Sequence, residues 1–300
     1  MERDSFGYIL RRKIQVFAHK LIPDEMLSKI YYRIVVGKSL NLKNPRTFNE
    51  KLQWLKLYYF PYDPLVVQCA DKFTVREYVK QKRLEGLLVP MIASWNKVSQ
   101  INWEDLPNKF MLKCNHGCAY NILCSNKRAF DINAAEKMLN TWLKEDFGAF
   151  NIELHYSNIR NHKIICEEYL GDCITDYKFF CFNGVPKFIY VSTDLIHDRK
   201  AKIGFFDLDG TKMSLKRNDY ADMSKVVLPT FFKEMLGAAK ILCKDFPFVR
   251  VDFFLANGTY YFAELTFTPS ACMMPFNPDW YDLEWGDLLD ISMYKKKEDW

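Results

Sequence analysis

The sequence predicts an α+β fold built on mainly antiparallel sheets, and three observations predict it. Strand-like runs come in adjacent pairs joined by the dipeptides Asn183-Gly184, Asp209-Gly210 and Asn257-Gly258. Such dipeptides accept the left-handed backbone of a two-residue hairpin turn, so the strands they join run antiparallel. Single helical patterns separate these hairpins, in place of the strict strand–helix alternation of a parallel sheet. Hydrophobic content of 49% over 300 residues is enough for a sizeable core, and no low-complexity linker or repeat interrupts it.

In chain order, residues 1–40 read as helical. Ile9, Leu10, Ile14, Phe17 and Leu21 share one face, with basic residues opposite. Pro23-Asp24-Glu25 starts a second helix carrying Leu27, Ile30, Tyr31 and Ile34, and Asn44-Pro45 breaks it. Thr47 and Glu50 form a capping box, with Phe48, Leu52 and Leu55 as the inner stripe of the helix that follows. Asp63-Pro64 opens a further helix through Lys82, whose polar features are Asp71, Lys72 and Arg76. The texture changes after Gly86. Strands are expected over Leu87–Trp95, Phe110–Cys114, Ile122–Cys124 and Lys163–Leu170, with a helix over Asp131–Glu145 before the last of them. Hairpins follow at 176–192 and around Asp209-Gly210. A helix over Phe231–Cys243 then delivers the chain to the hairpin Phe248–Phe267.

The net charge of +5 is modest and gives no reason to expect a nucleic-acid partner. It is uneven: residues 1–60 hold twelve Lys/Arg against five Asp/Glu, which suggests an anionic contact there, such as a membrane surface, or simply a solvated helical face. Nine irregularly spaced cysteines suit a reducing cytosol. Cys166 and Cys181 read as small buried hydrophobes, and Cys114, Cys118, Cys124 and His116 lack the second cluster a zinc site needs. The apolar start Phe6–Leu10 runs straight into Arg11-Arg12-Lys13, so no secretory leader is expected. No apolar run approaches the ~20 residues of a membrane span.

The chemistry collects on the strands. Arg250 and Asp252 alternate on one strand of the last hairpin and project from the same side, and Glu264 lies across from them within about two residues of register. Three charges on an apolar hairpin are costly unless paired. They are either an ion pair on a solvent-facing face or a site where two carboxylates hold a metal bound to nucleotide phosphates. Lys113 stands alone in an apolar strand before a turn containing His116-Gly117, an arrangement able to place an ammonium and backbone N–H groups around a phosphate. Glu167-Glu168 end a strand. Lys178 alternates with Asp176 on a strand otherwise made of Phe, Cys and Tyr.

In this order the elements resemble the ATP-grasp superfamily, and the local phrases resemble its TupA-like branch of bacterial polysaccharide biosynthesis. The likeness rests on Asn44–Leu55, Leu112–Gly117, Tyr177–Gly184, Phe246–Asp252 and Glu264–Pro269. It implies an ATP-grasp fold over 86–300, with a lysine and phosphate-loop subdomain at 86–170 and a metal-binding subdomain at 171–300, preceded by a helical segment at 1–85. By resemblance, Lys113 and Lys178 contact ATP phosphates beside His116 and Gly117. Glu167, Glu168, Tyr169 and Leu170 form the hinge that reads adenine, and Asp176 contacts ribose. Asp252, Glu264 and Thr266 hold Mg²⁺, with Mn²⁺ as a substitute, while Arg250 steadies the transferred phosphoryl group alongside Lys178. The implied activity joins a carboxylate to an amine through an acyl phosphate. The substrates would be a sugar nucleotide or lipid-linked glycan bearing a uronic acid, and an amino acid or other amine. The enzyme would be cytoplasmic, touching the inner membrane face through residues 1–40.

Two departures stand out. Thr266 occupies a position where the superfamily usually has a metal-binding Asn, a threonine the TupA-like branch often carries. Cys118-Ala119-Tyr120 replaces a Ser-Gly-Gly tendency in the phosphate loop, which leaves fewer backbone conformations for wrapping phosphates. Two other functions therefore stay open: a catalytically inactive glycan-binding relative, and a metal-dependent glycosyltransferase using Asp207 and Asp209. The segment Gly204–Thr211 also matches the Asp-x-Asp-Gly-Thr signature of aspartate-nucleophile phosphatases, but reads better as a hairpin.

Overall fold

The computed structural model describes residues 6–193, 201–217 and 220–295; the first five residues of the expected N-terminal segment lie outside them. Local signals set the first elements. Helix α1 (Phe6–Leu21) and α2 (Asp24–Val36) join at Ile22-Pro23. Helix α2 ends at Gly37, whose left-handed φ of 77° closes its C-terminus seven residues before the Asn44-Pro45 break that the sequence suggests. Thr47 and Glu50 form the expected capping box on α3 (Phe48–Tyr58), with Phe48, Leu52 and Leu55 fully buried.

The helix expected over 63–82 divides into α4 (Pro64–Ala70) and α5 (Val75–Gln81). Asp71 causes the break by accepting from the backbone N–H of Phe73 at 2.7 Å and of Thr74 at 3.3 Å, which competes with helix continuation. Lys72 is thereby turned out of the helical path.

Strands β1 (Met91–Trp95), β2 (Phe110–Cys114), β3 (Asn121–Cys124) and β4 (Ile164–Glu168) make a four-stranded antiparallel sheet in the order β1-β4-β2-β3. Between β3 and β4 lie α6 (Ile132–Trp142), capped by Asp131, and the short helices α7 (Gly148–Asn151) and α8 (Leu154–Ser157). The second sheet contains β5 (Thr175–Phe182), β6 (Val185–Thr193), β7 (Lys202–Asp207), β8 (Ala221–Asp222), β9 (Phe248–Ala256) and β10 (Thr259–Thr266), in the order β10-β9-β5-β6-β7-β8. Its hairpins turn at Asn183-Gly184 and Asn257-Gly258, all four residues at positive φ. Asp209-Gly210 also turns the chain, but the returning arm makes a single bridge, Phe206 to Lys212. The strand beside β7 is instead the short parallel β8.

Helix α9 (Phe232–Cys243) covers the second sheet, while α10 (Trp280–Leu288) packs against α3 and α11 (Ser292–Lys295) follows. The two sheets share one continuous core, and its aromatic centre includes Phe48, Phe182, Phe248 and Trp285. They meet where Leu88 bridges Phe262 and where Lys113 lies over the Phe254 ring at 5.7 Å. Among the described residues, no helix is long and apolar enough to cross a membrane.

Candidate active site

Strand alternation places Asp176 and Lys178 on β5 on the same face as Arg250 and Asp252 on β9, since Lys178 pairs opposite Asp252 and Phe180 opposite Arg250. Strand β10 would not join them unaided. Its register with β9 shifts by one residue between Phe262 and Glu264, with Ala263 as the extra residue, and beyond it Glu264 stands opposite Asp252 and Thr266 opposite Arg250. This bulge turns Glu264 and Thr266 onto the charged face.

The cluster is tightly knit. Arg250 donates to both oxygens of Asp252, Nε to Oδ1 at 2.8 Å and Nη2 to Oδ2 at 2.6 Å, and from Nη2 also to Thr266 Oγ1 at 3.1 Å. Lys178 Nζ donates to Asp176 Oδ1 at 2.7 Å and to Asp252 Oδ2 at 3.3 Å. Thr266 donates to Glu264 Oε1 at 3.1 Å, and Glu264 Oε2 lies 3.6 Å from Lys72 Nζ. Burial would raise the Glu264 carboxyl, but Lys72, Arg250 and Lys178 together hold it at about 2, so it is ionised. Asp252, at 0% exposure, lies above its ordinary value because desolvation outweighs its cations.

The opposite wall of the cleft comes from the first sheet and the α4–α5 break. Lys113 Nζ donates to Glu167 Oε2 at 2.6 Å, and Arg76 Nη1 reaches Glu167 Oε1 at 3.4 Å. Lys72 donates to the Gly117 carbonyl at 2.8 Å. A narrow opening lies here, bordered by Lys72, Arg76, Lys113 and Glu167, with Leu88 and Phe262 as apolar flanks. Sequence reasoning missed Lys72 and Arg76 as site residues. The signal was their four-residue spacing either side of Val75, but placing Lys72 in the cleft needed the Asp71 break.

The remaining expected residues sit around this centre. His116 is buried and faces α6: Nε2 meets the Trp142 carbonyl at 2.9 Å, and the ring stacks on His162 at 3.5 Å. Burial, followed by the neighbouring His162, lowers its pKa to about 4, so the ring is neutral and holds the turn in place. Gly117 allows that turn, since a Cβ there would stand 2.7 Å from the Tyr120 ring. Tyr120 itself is buried, stacked on Trp142 at 5.0 Å and bonded to Glu145. Ala119 takes a left-handed φ of 60°. Beyond β4, Glu168 N–H donates to the Pro90 carbonyl at 3.0 Å, Tyr169 bonds Asp172, and the Leu170 carbonyl accepts from Asn257 at 3.1 Å. Asp207 and Asp209 are exposed at the edge of the second sheet, Asp209 accepting from Thr211 N–H within its own turn at 2.8 Å.

The donor set suits a hard divalent cation. Asp252, Glu264 and Thr266 offer only oxygens, and the Arg250 guanidinium already stands between the two carboxylates as a cation in that position. Among the described residues no three His, Cys, Asp or Glu side chains form a ready-made metal cage, so such an ion would complete its shell with ligand oxygens and water.

Several solved structures are similar to this chain. A D-alanine–D-alanine ligase from Bacillus anthracis, solved with ATP, aligns at a TM-score of 0.47 with 16% identity, covering 78% of this chain and 69% of that one. An L-amino acid ligase from Bacillus licheniformis gives 0.43 with 15% identity over 84% and 57%. An N5-carboxyaminoimidazole synthetase from Staphylococcus aureus, solved with ADP, gives 0.42 with 15% identity over 80% and 57%. No curated protein matches the chain. The model of the TupA-like ATP-grasp family matches residues 50–290, and the chain belongs to that family.

Proposed function

We propose that this ATP-grasp enzyme is a carboxylate–amine ligase of cell-surface polysaccharide assembly, joining a uronic acid of a sugar nucleotide or lipid-linked glycan to an amino acid or other amine. One observation carries the nucleotide half of this reading: the cleft walls bear opposite charge imbalances. On the β5–β9–β10 wall, Arg250 and Lys178 face three carboxylates, Asp176, Asp252 and Glu264. On the other, Lys72, Arg76 and Lys113 face Glu167. A phosphate chain carrying a divalent cation answers both at once.

Asp252, Glu264 and Thr266 would hold Mg²⁺, which supplies charge neutralisation on the phosphates when bound. Lys113, with Lys72 and Arg76, draws in the phosphates and releases Glu167 from its present pairs. Arg250, fixed by Asp252, presents its guanidinium to the phosphoryl group in transfer, and Lys178 keeps Asp252 oriented. A carboxylate oxygen of the substrate attacks the γ-phosphorus of ATP, giving an acyl phosphate as ADP leaves; the amine then attacks the acyl carbonyl carbon, phosphate leaves, and the nitrogen gives up a proton to form the amide. Little covalent work falls to the protein beyond positioning and charge. The substrates put this reaction in the cytoplasm, at the inner membrane face where the glycan is lipid-linked. A helical segment at 1–85 preceding ATP-grasp subdomains at 86–170 and 171–300 remains part of this reading.

The pinned Cys118-Ala119-Tyr120 turn favours a second reading, in which a relative has lost turnover and only binds glycan. Thermal unfolding with Mg–ATP separates the two. At about 100 times its dissociation constant the nucleotide should stabilise wild type by about 2.7 kcal/mol, and Lys113→Ala and Asp252→Ala/Glu264→Ala should lose that gain. Phosphate release with a uronic acid and an amine should then survive Asp207→Ala. Folded protein with no shift supports the binding-only reading; dependence on Asp207 supports a glycosyltransferase.

A further inference from the structure

The apolar stripe of α1 faces outward. Leu10, Ile14, Phe17 and Leu21 are spaced four, three and four residues apart, one face of an α-helix, and are 45%, 58%, 65% and 66% exposed. The face turned to the protein is mixed, with Val16 and Ala18 packed beside polar anchors. Arg12 lies over the Phe150 ring at 3.9 Å and pairs with Glu145 at 3.1 Å, and Gln15 donates to Asn151 at 3.2 Å. Helix α2 adds to the exposed apolar surface. Met26, Ile30, Ile34 and Val35 are exposed, while Leu27, Ser28 and Tyr32 are buried. Both helices thus leave apolar side chains on the surroundings, α1 seating itself through Arg12 and Gln15 while α2 also buries Leu27 and Tyr32.

Charge says what covers these stripes. Across residues 6–38 there are seven Lys/Arg against two Asp/Glu, and Arg11, Lys13, Lys20, Lys29, Arg33 and Lys38 are all exposed. Both acids are already engaged, Asp24 with His19 and Glu25 with Lys29. A second copy of the chain would bring one cationic surface against another. A bilayer with anionic headgroups instead accepts the apolar side chains into its acyl boundary and the ammonium and guanidinium groups into its headgroup layer. We infer that α1 and α2 form an interfacial docking surface for an anionic lipid bilayer, lying in the plane of the membrane without crossing it.

This inference sharpens the location given by the ligase reading but stands on separate observations. Vesicle binding needs no nucleotide, so its failure would leave the Mg–ATP test unaffected.

The experiment is sedimentation of the full chain with vesicles of neutral phosphatidylcholine, or of the same lipid with about a third phosphatidylglycerol, beside light scattering of the protein alone. The expected result is pelleting with the anionic vesicles only. It should weaken as salt rises from about 0.1 M to about 1 M, because the Debye length shrinks from about 10 to about 3 Å. Ile14→Ser/Phe17→Ser/Leu21→Ser should cut binding at least about tenfold. Lys13→Glu/Lys20→Glu should cut it without touching the stripe. These side chains are exposed, so the variants should keep the wild-type melting curve. Absence of pelleting with either vesicle overturns the inference, as does equal pelleting with both. A dimer in solution that the triple variant dissociates also overturns it and assigns the face to a second copy.

Discussion

The walls of the cleft make an instructive contrast. Each is a cluster of charges on strands that otherwise carry Phe, Val, Ile and Cys, and each satisfies most of its members by direct pairing. On the β5–β9–β10 wall, Asp252 is fully buried and gripped by two cations, so removing one partner leaves a charge that water cannot reach. On the β2–β4 wall, Glu167 is shared by Lys113 and Arg76, and Lys72 reaches across to Glu264 and the Gly117 carbonyl. The first wall is built to hold its geometry. On the ligase reading, the second would let go of its cations when a better anion arrives. The side chains of the two walls are otherwise similarly buried, Glu167 at 8% and Asp176 at 9% exposure, so the contrast rests on Asp252, at 1%.

Three measurements can break or sharpen that distinction. Arg250→Ala strips Asp252 of its bidentate partner and should cost about 3–5 kcal/mol of unfolding free energy, read from denaturant melts. A loss below about 1 kcal/mol would show that the first wall is no more rigid than the second. Lys72→Met should do the opposite. We expect stability to change little while the dissociation constant for Mg–ATP rises about tenfold to a hundredfold, the loss of one charge-assisted contact. An unchanged dissociation constant would make Lys72 a structural tie between the loop and Glu264.

The smallest effect, per pH unit, belongs to the uncharged turn between β2 and β3. His116 holds its proton less tightly in the fold, at about 4, than at its ordinary value of 6.5. Between those values the unfolded chain binds more protons, so the stabilisation is full above about pH 6.5 and lost as pH falls through about 4. The slope is at most about 1.4 kcal/mol per pH unit, and His116→Gln should remove that part of it. A wild-type slope that survives the substitution would move the proton to another group.

How much of this was legible in the sequence follows the same physics. Alternation on strands is a strict period, so Arg250 could be grouped with Asp252 and Lys178 with Asp176 from spacing alone, whereas Glu264 reaches their face only through the bulge at Ala263. The capping box of Thr47 and Glu50 is equally local. What escaped depended on a local competition or on tertiary context. Asp71 looked like one more polar helical residue, yet its carboxylate ends α4 and frees Lys72. His116 was grouped with the phosphate contacts by its place in the chain, whereas its ring turns toward Trp142 and His162. The stripe on α1 was visible as a stripe, but periodicity does not say which side of a helix meets the protein. That was decided by Arg12 and Gln15, whose partners lie more than a hundred residues away.

The single extra residue at Ala263 has one more consequence. A strand is read two residues at a time, and an odd step anywhere along it exchanges every later side chain between the two sides, much as a one-nucleotide insertion shifts a reading frame. Ahead of the shift Phe262 pairs with Phe253; after it Glu264 pairs with Asp252 and Thr266 with Arg250. Were Ala263 instead paired in regular alternation with Asp252, Glu264 and Thr266 would fall on the far side of the sheet, with every functional side chain still encoded; deleting Ala263 would remove the bulge and leave Glu264 opposite Asp252.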